Sequence, residues 1–211
     1  ERAQEFYADV KGRMAAFGRA PDSLKIMPGL SVSVAATHAE AEAKWNELQD
    51  LIDPKTGLEL LQERLHFDIS GFDVNGTLPD MPQEVRDDSR VQLIYEMAAR
   101  ESMTIRDLYR HFGGTRGHRH ITGSTTEVAD FMEEWVAEKG CDGFNIMPPL
   151  FPAGLEDFVD LVIPELQRRG LFRNEYEGST LRENLGLPRP PWSAGDMERT
   201  AAAEKVPATA K

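Results

Sequence analysis

Apolar residues recur at helical spacing where the chain begins, at Ala3, Phe6, Val10, Met14 and Phe17, and Gly18 follows as a stop. This spacing predicts an amphipathic helix that must lie on other structure. Residues 25–36 then place the β-branched Val32 and Val34 in alternation, between Pro28-Gly29 and Thr37, which predicts a strand. Thr37-His38-Ala39-Glu40 has the form of a capping box, in which the threonine oxygen and the glutamate carboxylate satisfy free backbone donors reciprocally. The helix it opens carries Ala41, Trp45, Leu48 and Ile52 on one face and stops before Pro54.

From Pro54 to Gly117 this rhythm lapses. A helical stretch near Leu58 to Leu65 is followed by an irregular segment, His66 to Asp88, rich in Gly, Pro, Asp and Asn. Two more helical pieces, Arg90 to Arg100 and Thr104 to Phe112, run into Gly113-Gly114-Thr115-Arg116-Gly117, a flexible turn by its composition. Long irregular connections are uncommon unless functional or disordered. Residues 54–117 are therefore expected to be an insertion capping one end of the main domain.

Regularity returns at a second capping box, Ser124-Thr125-Thr126-Glu127. Its helix carries Val128, Phe131, Met132, Trp135 and Val136 and ends at Lys139-Gly140. Asp142 to Met147 reads as a second strand, closed by Pro148-Pro149, which can neither donate ladder hydrogen bonds nor extend it. Leu155, Phe158, Val159, Val162, Ile163 and Leu166 make a last core helix, kinked at Pro164. Beyond Pro191 the Ala, Thr, Glu and Lys content predicts a disordered tail, 191–211.

Helix, strand, helix, insertion, helix, strand, helix is the order of an α/β protein with a parallel sheet. Two strands do not complete such a sheet, because parallel strands need neighbours and helices on both faces. The chain also opens at Glu1 inside a helical pattern, so 1–190 is expected to be the C-terminal portion of one larger domain.

The formal net charge of −12 is expected to repel nucleic acid and anionic lipid. No run approaches the roughly 18 apolar residues that a membrane span requires. The single cysteine, Cys141, rules out an intrachain disulfide and fits a reducing, cytoplasmic setting; opening an apolar strand, it reads as a small buried side chain.

Candidate chemistry is sparse. His118-Arg119-His120 would project both imidazoles to one side of an extended segment, where they could share a metal, but further ligands are not evident and the reading favoured is one site-lining and one surface histidine. Gly123-Ser124, at a helix start, could admit a phosphate to free backbone donors, although the segment lacks the Gly-Lys-Ser/Thr ending of a P-loop. His66 with Asp68 and Asp73 could form a tuned acid or base, or a solvated loop histidine. Nothing resembles a nucleophile elbow.

Specific wording runs through the chain: Lys25-Ile26-Met27-Pro28-Gly29, Asp68-Ile69-Ser70-Gly71 with Leu78-Pro79, and Gly117-His118. It continues with Thr122-Gly123-Ser124-Thr125, Val128-Ala129-Asp130, Asp142-Gly143-Phe144, and the runs 164–170 and 180–187. In these stretches the chain resembles the bacterial-luciferase superfamily of flavin-dependent monooxygenases, in the branch of nitrilotriacetate and dibenzothiophene-sulfone monooxygenases. The resemblance implies a (β/α)8 TIM barrel, represented here by its last two βα units, the helical insertion and the tail. It also implies reduced FMN delivered by a separate flavin reductase, and O2, one atom of which enters a small organic substrate. A homo-oligomer is expected for the full-length protein.

Barrel active sites sit at the C-terminal ends of the strands, which places Ala35 to His38 and Met147 to Leu150 at the rim. The resemblance makes His66, His118 and Met147 pocket-lining residues, with His38, His111 and His120 facing away from the pocket, and Gly123 and Ser124 weak flavin-phosphate contacts. Most flavin contacts are implied to lie upstream of Glu1. A deazaflavin-dependent oxidoreductase of the same fold and a non-catalytic associating fragment are the alternatives.

Overall fold

The computed structural model describes residues 2–187, so the expected tail at 191–211 lies outside the described residues. Helix α1 (Arg2–Met14) ends in a short 3-10 turn closed by Gly18 at φ 65, a left-handed value glycine adopts at no steric cost. It buries Lys11 and Met14 and half-buries Ala3 and Val10, whereas Phe6 and Phe17 stay exposed, so only part of the apolar stripe packs. Strand β1 (Gly29–Ala35) leads into α2 (His38–Asp50), whose Thr37–Glu40 capping box forms as expected.

In the insertion, α3 (Pro54–Leu65) starts at an Asp53 cap with Pro54 in its first turn, and α4 (Ser89–Glu101) and α5 (Ile105–Thr115) follow the irregular segment. These three helices bury a core of their own, with Leu61, Leu65, Val91, Ile105, Leu108 and Tyr109 at its centre. The expected flexible turn at Gly113 to Gly117 is corrected: Gly113, Gly114 and Thr115 belong to α5. Their small size serves helix packing, since a Cβ at Gly113 would lie 3.2 Å from Ile52 and one at Gly114 would overlap Gln49 and Trp45 of α2.

Strand β2 (Arg119–Ser124) and helix α6 (Thr125–Ala137) follow, the latter opened by the Ser124–Glu127 capping box. The two-residue strand β3 (Asn145–Ile146) leads to a continuous helical rod, α7 (Ala153–Asp157), one π turn (Phe158–Val162) and α8 (Ile163–Arg168). The wide turn is how the rod accommodates Pro164, whose ring would clash with a carbonyl four residues back in a regular helix. A short helix, α9 (Leu181–Asn184), ends the described chain.

The three strands are parallel, in the order β2-β1-β3. β1 and β3 are neighbours through the pairs Gly29 with Asn145 and Leu30 with Ile146. β2 lies along the other edge of β1, in register from Leu30 opposite Arg119 to Ala35 opposite Ser124. The sequence pattern predicts two strands; β2 is the third. Its residues, Arg-His-Ile-Thr-Gly-Ser, include one strongly apolar side chain, so no hydrophobic alternation announces it. Leu30, Val32 and Val34 turn to one face, where Val128, Ala129, Phe158, Val162 and Leu166 complete the sheet core. Cys141 is buried, as its place before a strand led one to expect.

Candidate functional site

Two of the three residues expected to line a pocket meet over β1. A Cβ at Gly29 would stand 2.6 Å from His118 Nδ1 and 2.7 Å from Met147 Sδ, so only a bare backbone there lets both side chains close over the strand. His120, two residues on, projects to the side of Ser31. Its Nδ1 lies 3.0 Å from Ser31 Oγ, its Nε2 lies 2.9 Å from Thr122 Oγ1, and its ring stacks on Trp45 at 3.7 Å between centroids. Both imidazole nitrogens are thus occupied. Burial, then the nearby His111 and Arg119, push its pKa down to about 4, so it is neutral near pH 7.

A cavity of about 810 Å3 adjoins these residues, within the size range of small-molecule sites. Trp45, Trp135, His111, His118 and His120 are among its lining residues. His111 and His120, expected to face away, therefore line the same space as His118. Burial lowers the His111 pKa as well.

His66 is elsewhere. It caps α3 in the left-handed region at φ 61 and borders a second cleft, of about 480 Å3, between α3, α4 and α5. Its carboxylate partner is Asp88, 3.5 Å away, rather than Asp68 or Asp73. Those two carboxylates accept instead from the backbone N–H of Ser70, at 2.8 Å, and of Asn75, at 2.9 Å. The two hollows share Leu93, Met97, His111 and Gly117.

Both hollows are lined by Gly117, at the end of the sheet where β2 begins. The opposite end, where barrel enzymes place their chemistry, carries capping groups. There the Glu127 carboxylate accepts from Ser124 N–H at 2.7 Å and Ser124 Oγ at 2.8 Å, and also meets His38 Nδ1 at 3.2 Å. The Ser124 hydrogen bonds, backbone first, hold the Glu127 pKa below the usual carboxylate value. The Ser124 donors are thus met by Glu127, and a Cβ on Gly123 would be 3.1 Å from Glu127. Among the described residues no group of three or more His, Cys, Asp or Glu could hold a metal ion, and no helix is long and apolar enough to cross a membrane.

No family model matches the chain. It is 51% identical over 193 residues to the N-acetyl-S-(2-succino)cysteine monooxygenase of Bacillus subtilis, covering 90% of this chain and 44% of that enzyme. With the nitrilotriacetate monooxygenase component A of Aminobacter aminovorans it shares 50% identity over 187 residues, 88% of this chain and 41% of that protein. The solved structure of DmoA from Hyphomicrobium sulfonivorans superposes with a TM-score of 0.73 at 31% identity, over 87% of this chain and 38% of that one. A riboflavin lyase solved with modified FMN and riboflavin superposes with a TM-score of 0.67 at 28% identity, over 90% and 41% of the two chains. The chain thus spans about two fifths of the length of the relatives it matches. Its relatives in sequence and in fold are luciferase-family TIM-barrel monooxygenases, and the chain corresponds to their C-terminal portion.

Proposed function

We propose that the complete protein carrying this chain is a two-component, FMN-dependent monooxygenase of the cytoplasm, working as a homo-oligomer. A separate flavin reductase supplies reduced FMN, which brings the oxygen chemistry; one atom of O2 enters a small organic substrate. The observation that carries this reading is identity of 51% and 50%, over about nine tenths of the chain, to two enzymes named as monooxygenases. The likeness to a structure solved with modified FMN supports the flavin. Both relatives are named for compounds bearing several carboxylates, so an organic polyacid is the substrate class proposed here.

In this reading His118, Met147 and His66 are pocket-lining residues of the complete barrel; here His118 borders the larger hollow, Met147 packs beside it over Gly29, and His66 borders the adjoining cleft. The flavin phosphate is held by parts of the barrel other than Gly123 and Ser124, whose donors Glu127 occupies. Supplied with NADH, FMN, a flavin reductase and 18O2, the complete protein is expected to place one 18O atom in the oxidised polyacid. Product that forms without 18O, by hydride transfer to or from a deazaflavin, would overturn the proposal.

The 211-residue chain alone is expected to bind FMN weakly and to self-associate. Phe6, Phe17, Leu51 and Phe151 are each more than half exposed, and exposed apolar side chains on this scale seek cover. Flavin fluorescence titration and sedimentation measure both; a monodisperse monomer with one tightly held FMN contradicts the expectation.

A further inference from the structure

We infer that the cleft between α3, α4 and α5 is a binding site for a small molecule with two or three carboxylates, held by Arg64, Arg90 and Arg116. All three arginines line the cleft. None has a carboxylate partner among the described residues, in a chain whose net charge is −12. The contrast with the adjoining cavity is direct. There Arg2, Arg100 and Arg110 are paired with Glu96, Glu101 and Asp50, while Arg119 lies over the Phe131 ring. Where acids outnumber bases by 36 to 24, three unpaired guanidinium groups around one hollow are a local reversal of the molecule's charge.

The cleft has a floor as well as charges. Leu93, Ile94, Met97 and Phe112 supply an apolar base, and the Arg64 guanidinium lies over the Phe112 ring at 5.2 Å, which holds it in place before any ligand arrives. Glu63 also lines the hollow, and His66 is already engaged by Asp88. Three guanidinium groups outnumber the two carboxylates beside the cleft, Glu63 and Asp88, and each can take one carboxylate of a ligand. Arginine is the side chain best shaped for that ligand, because its planar fork donates two parallel hydrogen bonds to a carboxylate. The cleft shares Leu93, Met97 and His111 with the cavity of His118 and His120. The assignment of the ligand as the substrate rests on the proposed monooxygenase reading; its binding does not, and is measured without flavin or oxygen.

The test is titration calorimetry of the complete protein carrying this chain, free of flavin, with propane-1,2,3-tricarboxylate, and with butyrate as the single-carboxylate comparison. The tricarboxylate is expected to bind, more weakly as salt rises, and butyrate at least about tenfold more weakly. Arg64→Ala, Arg90→Ala and Arg116→Gly are each expected to weaken the tricarboxylate by about tenfold or more. Arg116 sits at φ 56, where glycine is at ease, so Arg116→Gly removes the charge without straining the fold. Arg13→Ala, which breaks only the surface pair with Asp9, is expected to leave binding unchanged. Circular dichroism checks that each variant folds, and Arg64→Lys is expected to keep part of the affinity. Absence of tricarboxylate binding, or binding that survives the combined Arg64, Arg90 and Arg116 substitutions, would overturn the inference. Failure of the 18O experiment with binding intact would overturn the oxygenase reading alone.

Discussion

Replacing Lys11 with methionine is expected to lower the unfolding free energy by about 3–5 kcal/mol, the usual cost of leaving one member of a buried ion pair without the other. Lys11 and Asp142 keep 9% and 12% of their side-chain surface exposed, and Lys11 Nζ lies 2.9 Å from Asp142 Oδ2. The same carboxylate accepts from the Ile26 N–H at 2.7 Å and the Tyr7 hydroxyl at 2.9 Å, while Lys11 Nζ also donates to the carbonyls of Leu24, at 2.6 Å, and Pro21, at 3.0 Å. This knot ties α1 to the segments entering β1 and β3. Without Lys11 the carboxylate stays buried with one charged partner fewer. Replacing both residues by apolar ones should restore part of the loss, because neither charge is then stranded. Denaturant unfolding of the three proteins measures this; a loss below 1 kcal/mol for Lys11→Met would contradict the account.

The knot also sets an acid limit. Burial works against the Asp142 charge, but the Ile26 amide, Lys11 and Tyr7 outweigh it and hold the pKa below the ordinary value. A carboxylate lowered in the folded state contributes stability that is complete above its unfolded pKa and is lost as pH falls through the folded one. The Asp142 contribution should therefore disappear only at strongly acidic pH.

A second loss, at milder acidity, is expected from His120. In the unfolded chain this histidine titrates near the ordinary 6.5, whereas in the fold its pKa is about 4. Between those values the unfolded state takes up a proton that the folded state refuses. Stability is full above about pH 6.5 and falls by about 3 kcal/mol as pH drops toward 4. His111, lowered by burial, adds to the same slope, and Arg119 beside the ring disfavours the imidazolium further. His120→Gln, which keeps donors and acceptors for Ser31 and Thr122, should flatten the pH dependence between 6.5 and 4. An unchanged slope in that variant, or an imidazole signal titrating near 6.5 in NMR, would rule out the neutral, buried ring.

Local chemistry made much of this architecture readable in advance. The capping boxes at Thr37 and Ser124 form with their expected partners, because each needs only groups three residues apart. The helix stop at Gly18 follows from backbone sterics alone, and so does an irregularity near Pro164, expected as a kink and found as a wide turn at Phe158–Val162. The apolar runs at Val32–Val34 and around Phe158 announce the sheet core, since buried parallel strands and their helices must be apolar. The family resemblance was legible in the same way, through the wording of segments that fold locally.

What escaped the linear reading depends on partners distant in the chain. Strand β2 is held by the free edge of β1 and by the fit of His120 between Ser31 and Thr122, none of which leaves a hydrophobic period. Gly113 and Gly114 look like a turn until α2 is laid against them. The gathering of His118 and Met147 over Gly29, the pairing of His66 with Asp88 and the convergence of Arg64, Arg90 and Arg116 join segments separated by tens of residues. Hydrophobic period and capping chemistry act within a turn or two of backbone, so they specify elements. Pairing register, helix packing and the sign of the charge in a cleft are properties of surfaces brought together, and they exist only once the chain has folded.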